Sequence, residues 1–131
     1  MDVSAIINGF VTGRLLFKPG DTLFHEGGEA GDVFIVLKGR VRIKKKAPKG
    51  MVNLAVLEAG DMLGETSFFD TTALRRATTA VAETEVILGV LDKALLQIEL
   101  SKISSIQKDI LAGLARRIRL TTANAALMAG S

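Results

Sequence analysis

A chain of 131 residues has the size of one domain, and with 48% hydrophobic residues it is too apolar for intrinsic disorder. It has no cysteine, which excludes a disulfide framework, a thiolate metal site and a cysteine nucleophile and agrees with a cytoplasmic setting. Its 17 basic and 14 acidic residues leave a net charge of +3, too weak by itself to point to nucleic acid.

The first residues, MDVSAIINGF, lack a basic region and a long apolar run and so read as no signal peptide; residues 2–9 are predicted as a short leading helix. No stretch reaches the ~20 apolar residues that a membrane helix needs. From Arg14 to Asp92 turn chemistry recurs at short, even intervals: Pro19-Gly20-Asp21, Gly27-Gly28, Gly31-Asp32, Gly39, Pro48-Lys49-Gly50 and Gly60-Asp61. Between these lie the β-rich runs RLLFK, DTLFHE, DVFIVLK, RVRIKKK, MVNLAVLE, ATTAVAE and EVILGVL. In RVRIKKK, Val41 and Ile43 alternate with Arg40, Arg42 and Lys44, the period of a half-buried strand. Many short strands at even spacing predict a mainly β fold, an eight-stranded β-roll of the jelly-roll or double-stranded β-helix type. With six Phe and no Trp or Tyr, its core must be built from Val, Ile, Leu and Ala.

At Asp92 the pattern changes. Asp92 is placed to cap a short helix, KALLQIEL, and Ser101 to cap a second helix running towards Met128. The apolar positions Ile103, Ile106, Ile110, Leu114, Ile118 and Ala125 fall on one face of that helix. Gly113 within it costs about 1 kcal/mol of helix propensity. The stripe can serve as core, as a dimer seam, or both; its length favours a parallel homodimer. The whole chain, 1–131, reads as a single domain, with the roll over about 14–92 and the C-terminal helices over about 92–128.

The segment GETSFFDTTALRRATTAVA, residues 64–82, holds the groups with chemistry. Gly64 and Glu65 follow a predicted strand, and residues 66–70 can form one helical turn whose free N–H groups favour an anion. Arg75 and Arg76 open the next strand, and guanidinium binds phosphate oxygens bidentately, with each charged hydrogen bond worth roughly 1.5–3 kcal/mol. Glu65 suits a sugar hydroxyl rather than a phosphate. A ligand with both phosphate and ribose satisfies all of these groups. A turn with a surface Glu–Arg pair, worth roughly 0–1 kcal/mol, explains the same residues, and the residues alone leave both readings open.

Gly64-Glu65, a short helix, and then Arg76-Ala77-Thr78-Thr79-Ala80-Val81-Ala82 resemble the phosphate-binding cassette of cyclic nucleotide-binding domains, the family of catabolite activator-type regulators and protein kinase A regulatory subunits. PGDTLFHEGGEAGDVFIVLKGRVRI is similar to the family's opening hairpins, and LEAGDMLGE to its lead into the cassette. The resemblance implies that Gly64 and Glu65 hold the ribose. It implies that Arg76 holds the cyclic phosphate, with Ala77, Thr66 and Ser67 beside it. Arg76 is the match when the strand is aligned forward through Ala82-Glu83-Thr84, and Arg75 is left as a possible second contact. Glu65 then lies 76 − 65 = 11 residues before Arg76, longer than the family's usual spacing, with the extra residues among Thr71-Thr72-Ala73-Leu74.

LARRIRLTTAN, residues 114–124, resembles the dimerising helix of catabolite activator-type transcription factors, in which a hydroxyl pair reads the adenine base. That implies a base-reading role for Thr121 and Thr122, with Thr79 an inward strand residue near the ligand. Ala77, directly after the cassette arginine, leans to cyclic AMP over cyclic GMP.

The implied protein is a regulator and not an enzyme. It has no catalytic residue, no cofactor beyond its nucleotide ligand, no metal, no membrane contact and no unaided DNA binding. It is expected to form a homodimer through the last helix and to signal to an unnamed effector. Two other expectations share the fold: a ligand-free interaction domain that only dimerises, and a binder of cyclic dinucleotides. His25, the single histidine, argues against a metal site and a Ser-His-Asp set. The basic run Arg40, Arg42, Lys44, Lys45, Lys46 and Lys49 reads as a solvated hairpin, with a docking surface for an acidic partner as the alternative.

Overall fold

Among the described residues, the apolar runs between the glycine turns become strands that pair antiparallel. The computed structural model describes residues 9–64 and 75–129, with the side chains of the last helix described through residue 117. Within these lie β1 (Val11–Phe17), β2 (Thr22–Phe24), β3 (Phe34–Lys38), β4 (Val41–Ala47), β5 (Gly50–Leu57), β6 (Met62–Leu63), β7 (Thr79–Ala82) and β8 (Val86–Leu91), followed by α1 (Lys93–Ser101) and α2 (Ser105–Ala129). The pairings nest: β1 with β8, β2 with β7, β3 with β6, β4 with β5. The chain is thus one long hairpin, closed at the β4–β5 turn and wound into two sheets of order β1-β8-β3-β6 and β2-β7-β4-β5. This is the eight-stranded roll that the turn spacing predicts.

Two apolar clusters explain why these runs are strands. Phe34, Val36, Leu63, Val86 and Leu88 from one sheet meet Val41, Ala80 and Ala82 from the other, with Phe17, Leu23, Phe24, Ile43 and Leu57 around them. That is the interior of the roll. Val33, Ile35 and Leu91 point the other way, beneath Phe10 and Leu96 of α1. β3 is therefore buried on both faces, which is why FIVLK is a continuous apolar run, whereas β4 alternates. The turns at Lys18–Asp21 and Glu58–Asp61 close by one device. The aspartate N–H donates to the carbonyl three residues back (both 3.0 Å), and its carboxylate accepts from that residue's N–H (both 2.8 Å).

β1 begins at Val11 rather than near Arg14, because Val11 pairs with Leu91 and packs in the outer cluster. Asp92 caps α1 as expected, its Oδ1 accepting from Leu95 N at 3.1 Å. Ser101 does not cap the second helix. It is the last residue of α1, and its hydroxyl donates to Ile98 O at 2.6 Å. Ser104 takes the role instead: its Oγ accepts from Gln107 N at 3.1 Å while Gln107 Oε1 accepts from Ser104 N at 3.0 Å, a reciprocal capping box.

α2 lies against β4 and β5. Of its described side chains only Ala115 is buried, while Ile106, Ile110 and Leu114 are 73%, 55% and 48% exposed on one stripe. Among the described residues no helix is long and apolar enough to cross a membrane. Apart from Gly9, the predicted leading helix lies outside the described residues.

Candidate phosphate site around Arg76

Arg75 and Arg76 lie on an extended segment, so their side chains leave on opposite sides. Arg75 is exposed; its backbone forms an isolated antiparallel β-bridge with that of Glu29, and its side chain makes a long contact, 3.5 Å, to Gly27 O. Arg76 is 7% exposed and is the one buried polar or charged residue among those described. Its backbone is clamped on one flank: Arg76 N donates to Gly28 O at 2.8 Å, and Gly27 N donates to Arg76 O at 2.9 Å.

The guanidinium is held by face and by edge. Its central carbon sits 4.6 Å from the centroid of the Phe24 ring and 5.9 Å from that of Phe34, both cation–π distances. Nη2 donates to Asp32 O at 3.0 Å. Nη1 is buried and has no hydrogen-bond partner among the described residues. It is turned onto Gly64, whose φ of +79° lies in the left-handed region. A Cβ at position 64 would overlap Nη1 and come within 2.9 Å of Asp32 O, so glycine is required there by conformation and by space. Burial lowers the pKa of Arg76 from its ordinary value, and the Asp32 charge opposes that. Guanidinium nevertheless stays protonated. A buried cation with a spare donor is costly alone and is relieved by an anion.

Of the predicted site residues, Gly64 and Arg76 are brought together. Ala77 follows, its carbonyl accepting from Lys45 Nζ at 2.8 Å. Thr79 opens β7 but is not the inward residue expected: in the alternation of the strand Ala80 and Ala82 face the interior, and Thr79 lies on the other face, its Oγ1 accepting from Glu26 N at 2.8 Å. Glu65, Thr66, Ser67 and the extra residues Thr71–Leu74 lie outside the described residues. Thr121 and Thr122 lie within α2, but their side chains are not described. His25 is exposed, with its carbonyl accepting from Gly28 N at 3.0 Å.

The basic hairpin is not uniformly solvated. Lys45 is bound to Glu26 at 3.0 Å with its side chain 15% exposed, and Arg42 pairs with Glu83 at 2.7 Å. Phe24, Phe34, Asp32, Glu26 and Lys45 were not legible as site residues, except that Lys45 shares the parity of Val41 and Ile43.

The class that fold and site define is a nested antiparallel β-roll that buries an arginine against a left-handed glycine. The sequence pattern of the cyclic nucleotide-binding domain matches residues 14–102, and the chain belongs to that family. It is 35% identical over 111 residues to a CRP-like cAMP-activated global transcriptional regulator of Mycobacterium tuberculosis, covering 84% of this chain and 49% of that protein. The chain thus spans about half the length of that relative. The N-terminal domain of a transcriptional regulator from Streptomyces coelicolor superposes with a TM-score of 0.62 at 30% identity, over 96% of this chain and 87% of that one. A cAMP-bound EAL enzyme superposes with a TM-score of 0.78 over 87% of this chain and 30% of its own; at 23% identity the likeness is one of fold.

Proposed function

We propose that this chain is a regulatory module that binds a cyclic nucleotide, cyclic AMP in preference to cyclic GMP, and makes or breaks no bond in it. The observation that carries this is Arg76: buried, charged, with one nitrogen that has no partner among the described residues and is aimed at Gly64. In this reading the cyclic phosphate takes Nη1 of Arg76, with N–H groups from Thr66, Ser67 and Ala77. The ribose 2′-hydroxyl is held at Gly64 and Glu65. Thr121 and Thr122 read the base, and Arg75 stands outside as a secondary contact.

Ligand binding shifts α2 between two packings against β4 and β5, by the difference in affinity for the two states. The exposed stripe of Ile106, Ile110 and Leu114 pairs with its copy in a homodimer. The Mycobacterium tuberculosis relative suggests that transcription is the process regulated, with this chain as the sensor and DNA contacted by another protein segment. The absence of cysteine fits a cytoplasmic setting.

A thermal melt with cyclic AMP, cyclic GMP and a cyclic dinucleotide tests this. Cyclic AMP at about 100 times its dissociation constant is expected to add about 2.7 kcal/mol of stability. A larger response to the dinucleotide moves the ligand assignment. No shift with any nucleotide at millimolar concentration refutes binding. The exposed α2 stripe then favours the second reading, a dimerising interaction domain without ligand.

A further inference from the structure

On β4, Val41 and Ile43 face the apolar interior, and the same parity turns Lys45 inward. The regular ladder between β4 and β7 ends at the pair Lys44 and Thr79. Past that point, towards Arg76, side chains join the segments. Lys45 Nζ donates to Ala77 O at 2.8 Å and to Glu26 Oε2 at 3.0 Å. Glu26 Oε1 accepts from Lys46 N at 2.8 Å, and Glu26 N donates to Thr79 Oγ1 at 2.8 Å. Arg76 therefore stands between two supports: the Gly27 and Gly28 backbone on one flank, and the Lys45 tether at the next carbonyl on the other.

We propose that Lys45 is a positioning residue for phosphate recognition: its ammonium fixes the Arg76–Thr79 segment to β4 and so sets where the Arg76 guanidinium arrives beside Gly64. This rests on the reading of Arg76 as the phosphate ligand. Lys45 does more here than stabilise the sheet. Removing it strips the Ala77 carbonyl of its donor one residue from Arg76, and it also leaves the Glu26 carboxylate without its cation. The two losses can be separated. In a Glu26→Gln/Lys45→Met double variant no uncompensated charge remains, but the Ala77 carbonyl still lacks its donor.

Isothermal titration of the full chain with cyclic AMP, alongside thermal melts without ligand, is the test. Lys45→Met is expected to weaken binding about tenfold, and Lys45→Arg to return it to within about threefold of the parent. The double variant is expected to recover the parent's melting temperature while keeping the weakened affinity. Wild-type affinity in Lys45→Met, or affinity recovering together with stability in the double variant, overturns the proposal. Should Lys45→Met fail to fold, Lys45→Arg and the double variant decide. Failure of the underlying reading looks different: the parent shows no cyclic AMP binding, or Arg76→Ala binds as the parent does, and the positioning role falls with it.

Discussion

Between the sheets, Val36, Val41, Leu63, Val86 and Leu88 meet apolar partners on every side. Phe24 and Phe34 belong to the same interior, yet their rings carry the guanidinium of Arg76. One backbone frame thus buries carbon in one region and a cation in the next. The first region stabilises the fold by about 25 cal/mol per Å² of apolar surface removed from water. The second gives up stability, because burial strips the Arg76 charge of water, a cost that an anion would offset on the proposed reading. Substitutions in the two regions should therefore separate ligand affinity from fold stability.

The largest effect is expected at Arg76. Arg76→Ala should cost about 3–5 kcal/mol of cyclic AMP affinity by calorimetry, the scale of leaving a buried charge partner unmatched. Arg76→Met should leave the melting temperature of the ligand-free protein unchanged or higher, since an apolar residue of similar volume needs no counter-charge. Leu88→Ala is the mirror image. It should lower urea stability by about 2–5 kcal/mol while the folded fraction binds as the parent does. If Arg76→Met melts as low as Leu88→Ala, the contrast between the regions is gone. The smallest effect lies outside the roll: Ser104→Ala should cost about 1 kcal/mol by the same denaturation without moving affinity. An equal loss in Ser101→Ala would contradict the helix boundary found here.

The roll was largely legible because its information is local. Turn residues mark the strand ends, and alternation in β4 against continuity in β3 tells a half-covered strand from one buried twice. Asp92 was legible as a cap for the same reason. Ser104 was readable too: a serine followed three residues later by Gln107 is a capping-box signal, and it outcompetes Ser101, whose hydroxyl turns back to its own helix. Residues 64–76 were legible as one candidate phosphate site, but choosing Arg76 over Arg75 as the partner of Gly64 needed the family resemblance. The rings of Phe24 and Phe34 and the Asp32 carbonyl reach Arg76 across the fold, the Glu26–Lys45 pair reaches its neighbours Ala77 and Thr79, and no local spacing announces them. Lys45 was misread because a run of lysines suggests solvent, although strand parity pointed it inward.

The groups around Arg76 come from distant parts of the polypeptide: 44 residues separate it from Asp32, 32 separate Lys45 from Ala77, and 53 separate Glu26 from Thr79. Contacts of such long sequence separation form only after large loops have closed, which places them late in assembly and makes it slow. On the proposed reading, nucleotide capture is therefore expected to be an all-or-nothing property of the completed roll. A nascent or partly unravelled chain is then expected to have no weaker version of it, so that retention of ligand would double as a readout of correct folding.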